Sequence, residues 1–170
     1  VRQIVDMNNG KYLDESLEDT APTSFCIGVA GYPEKHFEAP NRQVDLENLK
    51  HKVESGASYI VTQMFFDNKK FFRFRDECKN TGINVPVIAG LKPVSALNDI
   101  NLLPQTFHID MPHELVLSLK KCQTDKDARE VGIEWAAMQS KELIKEEVPG
   151  IHYYTLGRSD NVARIVKAAF

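Results

Sequence analysis

The feature that most constrains this chain is the recurrence of short, almost unbroken apolar runs, each handed on to a stretch of helical pattern. The first is Phe25-Cys26-Ile27-Gly28-Val29-Ala30-Gly31, closed by Tyr32-Pro33. The second is Tyr59-Ile60-Val61-Thr62-Gln63-Met64-Phe65-Phe66. The third is Val85-Pro86-Val87-Ile88-Ala89-Gly90-Leu91, with Pro86 near its start, where a missing N–H is tolerable. The fourth is Ile151-His152-Tyr153-Tyr154-Thr155-Leu156. Runs of this length without alternation read as strands buried on both faces. Between them the pattern predicts helices over 45–54, closed by Gly56, over 69–80, stopped near Gly82, and over 125–146, with a short last helix from 161. In the long helix Trp135, Met138, Gln139 and Leu143 fall near one face. The segment before it, carrying Pro104 and Pro112, reads as irregular. A strand with its helix takes about 30 residues, the size of a βα repeat, which implies a parallel sheet with helical crossovers.

The 170 residues suffice for one domain with a real core. Acids and bases are interspersed around a net charge of −3. No basic stripe points to nucleic acid, and no apolar run is long enough to span a bilayer, so a small metabolite is the natural partner. The opening residues lack the apolar stretch of a signal peptide. Cys26, Cys78 and Cys122 are odd in number and widely spaced, which reads as reduced cytoplasmic thiols rather than a disulfide framework or zinc ribbon. His108, His113 and His152 show no metal-ligand spacing, and His152 reads as a core histidine. Val1, Ile4 and Val5 have the spacing of a helix already under way with nothing before it to cap it. The expectation is a chain that starts partway through a larger fold.

Four parallel strands can build a small doubly wound sheet or half of a barrel. No G-x-G-x-x-G follows a strand, so a dinucleotide fold lacks its fingerprint. Both architectures place their sites beyond the strands' carboxyl ends, where Tyr32, His36, Gln63, Lys92 and Arg158 stand. Gln63 is the most telling of these. An amide in an apolar strand needs partners, or it costs about 2 kcal/mol or more. On α-helical spacing, Asp45, Asn48 and Lys52 share one stripe and Leu46, Leu49 and Val53 the next; the plain account is a solvated face beside a packed one.

Four motifs occur in order: Gly31-Tyr32-Pro33-Glu34-x-His36-x-Glu38-Ala39, Asp45-Leu46-x-Asn48-Leu49-x-x-Lys52-Val53, Thr62-Gln63-x-Phe65-Phe66-Asp67, and His152-x-Tyr154-Thr155-Leu156-x-Arg158. Together they resemble the methylenetetrahydrofolate reductase family over residues 25–170. The resemblance implies a (β/α)8 TIM barrel, an α/β fold of which this chain supplies about the last four β/α units. Residues 1–24 would be the end of a preceding barrel helix plus a loop. It also implies FAD as cofactor, NADH or NADPH as reductant, a folate substrate, a homo-oligomer, and a cytoplasmic protein of one-carbon metabolism.

By the same resemblance, FAD lies along Tyr32, His36, Ala39, Asp45, Asn48, His51 and Lys52. Ala39 allows close backbone approach, and Lys52 opposes phosphate charge. His51 stands where many members have arginine and so lacks the bidentate fork. The folate falls to Gln63, Asp99, Leu103, Leu156 and Arg158. Gln63 both donates and accepts towards a pterin edge, and Arg158 meets the glutamyl tail. Asp99 occupies a position that is often glutamine, Leu103 one that is often aromatic, and Gly157 replaces a common asparagine. The reaction implied is reduction of 5,10-methylenetetrahydrofolate to 5-methyltetrahydrofolate by hydride passed through the flavin, with a general acid opening the ring. No residue of this chain matches the family's acid, and Glu34 and Glu38 belong to the FAD loop; no catalytic residue or metal ligand is expected here. Two other readings stay open: a non-catalytic half-barrel that pairs with another copy, and a different barrel enzyme using Lys92.

Overall fold

The computed structural model describes residues 1–155, 157 and 159–170. The elements run α1 (Arg2–Asn8), β1 (Gly28–Gly31), α2 (Arg42–Glu54), β2 (Tyr59–Thr62), α3 (Asn68–Asn80), β3 (Val87–Leu91), α4 (Asp99–Phe107), α5 (His113–Lys120), α6 (Asp125–Lys145), β4 (Ile151–Tyr153) and α7 (Asp160–Ala169). The strands form one parallel sheet in the order β1-β2-β3-β4. This is an α/β fold whose neighbouring strands are joined by helical crossovers. Among the described residues no helix is long and apolar enough to cross a membrane.

Local chemistry explains the helix starts. Asn41 accepts from Val44 N at the head of α2, and Asp67 from Lys69 N at the head of α3. Thr124 and Asp127 cap α6 reciprocally, satisfying donors that the first turn leaves open. The core on the sheet side joins Leu46 and Leu49 of α2, Phe71 and Phe74 of α3, Leu143 of α6, and Ile60, Ala89 and Leu91 of the strands. A second cluster, Met64, Phe66, Val94, Leu103, Leu115 and Leu119, sits beneath α4 and α5.

The strands are shorter than the apolar runs because flanking backbone finds other partners. Phe25 exchanges hydrogen bonds with the Asn8 side chain. Beyond β2, the Phe65 and Phe66 carbonyls accept from Gln139 Nε2 and Trp135 Nε1 of α6. Burial on both sheet faces is not found. Ile60, Thr62, Ala89 and Leu91 are fully enclosed, while Tyr59, Val61 and Ile88 on the opposite face are only half-buried. His152 is exposed rather than a core residue, since it lies on that opposite face of β4. The expected irregular segment is two helices. Pro112 precedes α5 as its N-cap, and Pro104 sits within α4. Burial of Leu103, Leu115 and Leu119 outweighs the single hydrogen bond Pro104 forgoes. In α6, Met138 is 53% exposed; the packed face is Gly132, Ile133, Ala136, Ser140 and Leu143.

Candidate functional site

The carboxyl ends of β1, β2 and β3 carry Tyr32, Gln63 and Lys92. Tyr32 and Gln63 line one small cleft with Glu34, Met64, Phe107 and His108. A larger hollow lined by Gln3, Met7, Tyr12, Leu13 and Leu17 belongs to α1 and the loop after it, and holds none of the candidate residues.

The loop from Tyr32 to Ala39 is braced at every turn. Lys35 holds a positive φ of 102°, strained for a side-chain-bearing residue, and its ammonium caps the His36 and Ala39 carbonyls at 2.8 and 2.5 Å. Arg42 donates to the Tyr32 carbonyl at 2.6 Å. His36 N donates to Asp45 Oδ2 at 3.0 Å, so Asp45 ties the loop to α2. The His36 ring accepts from Glu38 N through Nδ1 and meets the Tyr32 ring edge-on with centroids 4.4 Å apart. Burial raises the Tyr32 phenol above its ordinary value, helped by the Asp45 and Glu38 charges, so it stays a donor at neutral pH.

A charged cluster anchors this loop to distant segments. Lys70 of α3 donates to Glu34 at 2.8 Å and also to Asp110, and the Asp110 N–H reaches both Glu34 oxygens at 3.1 Å. Burial raises the Glu34 carboxyl despite these donors. Phe37, 58% exposed, stacks on His36 and on His108 with centroids 5.1 and 4.6 Å apart. Lys70, Phe37, His108 and Asp110 escape sequence reasoning. They are far apart in the chain, and only the folded segments bring them together.

The remaining candidates are placed as follows. Ala39 is buried. Asn48, His51 and Lys52 face solvent along α2, with no side-chain hydrogen bond or ion pair among the described residues. His51 and Lys52 border a shallow groove with Val1, Arg2 and Gln3. Gln63 Oε1 accepts from Met64 N at 2.9 Å, leaving its NH2 without a partner among the described residues. Asp99 opens α4 and accepts from Ser95 and Ala96. Leu103 is 2% exposed and packs in the core with Met64, which reaches the cleft. Leu156 and Arg158 lie outside the described residues. Tyr154, not singled out from sequence, donates to the Thr62 carbonyl at 2.8 Å. Its ring occupies space that a side chain on Gly90 would take, with a Cβ there 2.9 Å from Tyr154 Cε2.

Comparison with known proteins sets these residues in a family context. The family model described as methylenetetrahydrofolate reductase matches residues 5–169. The 5,10-methylenetetrahydrofolate reductases of Pectobacterium carotovorum subsp. carotovorum and Escherichia coli (strain K12) are each 39% identical over 137 residues, covering 80% of this chain and 46% of their own length. A probable methylenetetrahydrofolate reductase (NADPH) of Caenorhabditis elegans is 32% identical over 146 residues, 85% of this chain and 22% of that protein. The chain thus spans about half the length of its bacterial relatives. An uncharacterized protein from Clostridium thermocellum, which binds two copies of 5-methyl-5,6,7,8-tetrahydrofolic acid, aligns with a TM-score of 0.53 and 18% identity over 84% of this chain and 51% of that one. That likeness is one of fold.

Proposed function

Because the chain belongs to the methylenetetrahydrofolate reductase family, we propose that it supplies the second half of a flavin-binding (β/α)8 barrel that reduces 5,10-methylenetetrahydrofolate to 5-methyltetrahydrofolate with a nicotinamide reductant. In this reading residues 1–24 are the end of a preceding helix and a loop, and residues 25–170 are the half-barrel. One observation carries it: parallel strands in chain order with Tyr32 and Gln63 meeting at one cleft beyond their carboxyl ends.

The donor set suits FAD. Along α2, Asn48, His51 and Lys52 offer amide, imidazole and ammonium groups that no protein side chain occupies among the described residues, which suits a polyol and a pyrophosphate. When bound, FAD would supply hydride transfer. Tyr32 offers a phenol held protonated, and Asp45 and Arg42 keep its loop in place. Gln63 orients the pterin through its free NH2, Asp99 offers a carboxylate from α4, and the roles of Leu156 and Arg158 towards the substrate rest on the family resemblance alone. Glu34, in the cleft wall, is engaged by Lys70 and the Asp110 N–H, and serves the loop rather than the reaction. No catalytic acid is assigned within residues 1–170.

The test is Gln63→Ala in the full-length protein, read by bound flavin absorbance and by folate turnover. Turnover is expected to fall at least tenfold, the loss of about one charge-free hydrogen bond and its orientation, with flavin content near that of the parent. Equal loss of both would refute the assignment, and a parent protein without folate turnover would refute the reading itself.

A further inference from the structure

A hollow of about 500 Å³ lies between the start of α3, the side of α4 and the start of α5. It holds none of the residues assigned above to flavin or folate. Its volume falls within the roughly 300–1,000 Å³ of sites for small organic molecules. Ile100 and Pro104 of α4, Met111 from the connection after it, and Val116 of α5 give it an apolar wall. Ile100 and Met111 pack on the closed cluster of Met64, Leu103, Leu115 and Leu119, yet all four wall residues stay only half-buried. A ligand seated there completes the removal of this apolar surface from water.

The polar rim decides the ligand's charge. Among the described residues Lys70 is the one basic group lining the hollow. Glu34, with its side chain 11% exposed, already neutralises that ammonium at 2.8 Å. Asp110 bonds the same ammonium, and Asp67 stands on the rim beside it. Three carboxylates to one ammonium leave the rim negative. One oxygen of each rim aspartate is committed to the fold, Asp67 Oδ1 accepting from Lys69 N and Asp110 Oδ2 from Lys70. Asp67 Oδ2 and Asp110 Oδ1 take no hydrogen bond among the described residues. An anion meets net repulsion here, and a neutral molecule gains nothing from the charge; an organic cation gains from both the rim and the wall. A bare divalent ion does not fit, because no group of three or more His, Cys, Asp or Glu among the described residues could hold a metal.

We propose that this hollow binds a small organic cation, a primary ammonium on an aliphatic body, with the ammonium held by the Asp67 and Asp110 carboxylates and the body against Ile100, Pro104, Met111 and Val116. The inference goes beyond the reductase reading and does not rest on it. The two cavities nevertheless share a wall: Glu34 lines the cleft of Tyr32 and Gln63 while it is bonded to Lys70 on this rim.

The experiment titrates the full-length, flavin-loaded protein by calorimetry, at constant ionic strength, with three probes of similar shape: isoamylammonium, isoamyl alcohol and isovalerate. The ammonium is expected to bind with a Kd of about 1 mM, and the alcohol and the carboxylate about tenfold or more weakly. The double variant Asp67→Asn/Asp110→Asn removes both charges while keeping a cap for α3 and an acceptor for Lys70. It is expected to weaken the ammonium about tenfold. Val116→Trp fills the hollow and is expected to abolish binding. No binding of the ammonium to the parent overturns the proposal. So does an alcohol or carboxylate bound as tightly as the ammonium. An ammonium affinity unchanged in the asparagine variant or in Val116→Trp puts the cation elsewhere and overturns the site. The asparagine variant keeps the fold's own hydrogen bonds, so it decides alone should Val116→Trp fail to fold. Folate turnover plays no part in this readout, so failure of the reductase reading and failure of the cation site are told apart.

Discussion

Gly132→Ala makes the sharpest test of how α6 holds the site. In an unconstrained helix interior this change stabilises by about 1 kcal/mol, because alanine has less backbone freedom to lose. Here a Cβ on Gly132 would stand 2.1 Å from the Val94 carbonyl oxygen and 2.8 Å from Val94 C and N. All three atoms are backbone, so no rotamer change relieves the overlap. Ordinary contact begins near 3.4 Å. The helix and the β3–α4 connection must separate by about 1 Å, at an overpacking cost of roughly 1–3 kcal/mol or more. Set against the propensity gain, the net expectation is a loss of about 1 kcal/mol or more, which in a chain of this size lowers Tm by roughly 2–4 °C or more. Gly150→Ala is the control. Its Cβ would meet only the Ile88 side chain, Cγ2 at 3.8 Å and Cγ1 at 4.0 Å, so the melting temperature should barely move. Because Val94 is two residues from Lys92, Gly132→Ala should also disturb the ion pair of Lys92 with Asp99, 3.6 Å apart. A melting temperature equal to or above the parent's would refute the argument.

Two further outcomes follow from charge and burial. Lys70→Met should cost roughly 2 kcal/mol at neutral pH, less than the ~3–5 of a fully enclosed pair because Asp110 lies in water. Burial alone would lower the Lys70 ammonium, but its bonds to Asp110 and Glu34 outweigh this and raise it above 10.5. Its contribution is therefore complete below pH 10.5 and is lost as pH rises through the raised value. On the alkaline side, urea titrations from neutral pH upward should show the gap between parent and variant closing only as pH passes through that raised value, and a gap that closes just above neutrality would count against the cluster. Burial pushes the Cys78 thiol up to about 12, whereas Cys26 is exposed. Alkylation at pH 8 followed by peptide mapping should label Cys26 first and Cys78 only after unfolding, and rapid labelling of Cys78 would refute its burial.

The alternation of apolar runs and helical stretches was legible because parallel strands and their crossovers are local patterns. Each of the four runs contains a strand. The ends were not legible, since they depend on where backbone groups find partners. Phe25 turns to Asn8, and Phe65 and Phe66 turn to α6, which sequence spacing does not reveal. The helices α4 and α5 were hidden behind Pro104 and Pro112, because breaker rules weigh the missing N–H and not the leucines those helices bury. At the site, Tyr32 and Gln63 could be picked out as polar residues ending apolar strands. Asp45 could be placed on its helix, but its grip on the His36 backbone, nine residues back, required the loop's fold. The pairing of Glu34 with the Asp110 N–H spans 76 residues and has no signature in either segment.

The self-capped loop between Tyr32 and Ala39 has a consequence for the speed of ligand capture. Lys35, Arg42 and Asp45 supply its hydrogen bonds from the protein itself, and Lys70 holds Glu34 in register. The entropy of ordering that segment is charged to folding, not to association. A ligand arriving there is spared an ordering cost of about 0.5–1.5 kcal/mol for each side chain already fixed. Encounter can then lead to docking without a rearrangement in between, so the association rate should track diffusion and concentration rather than level off at a conformational step.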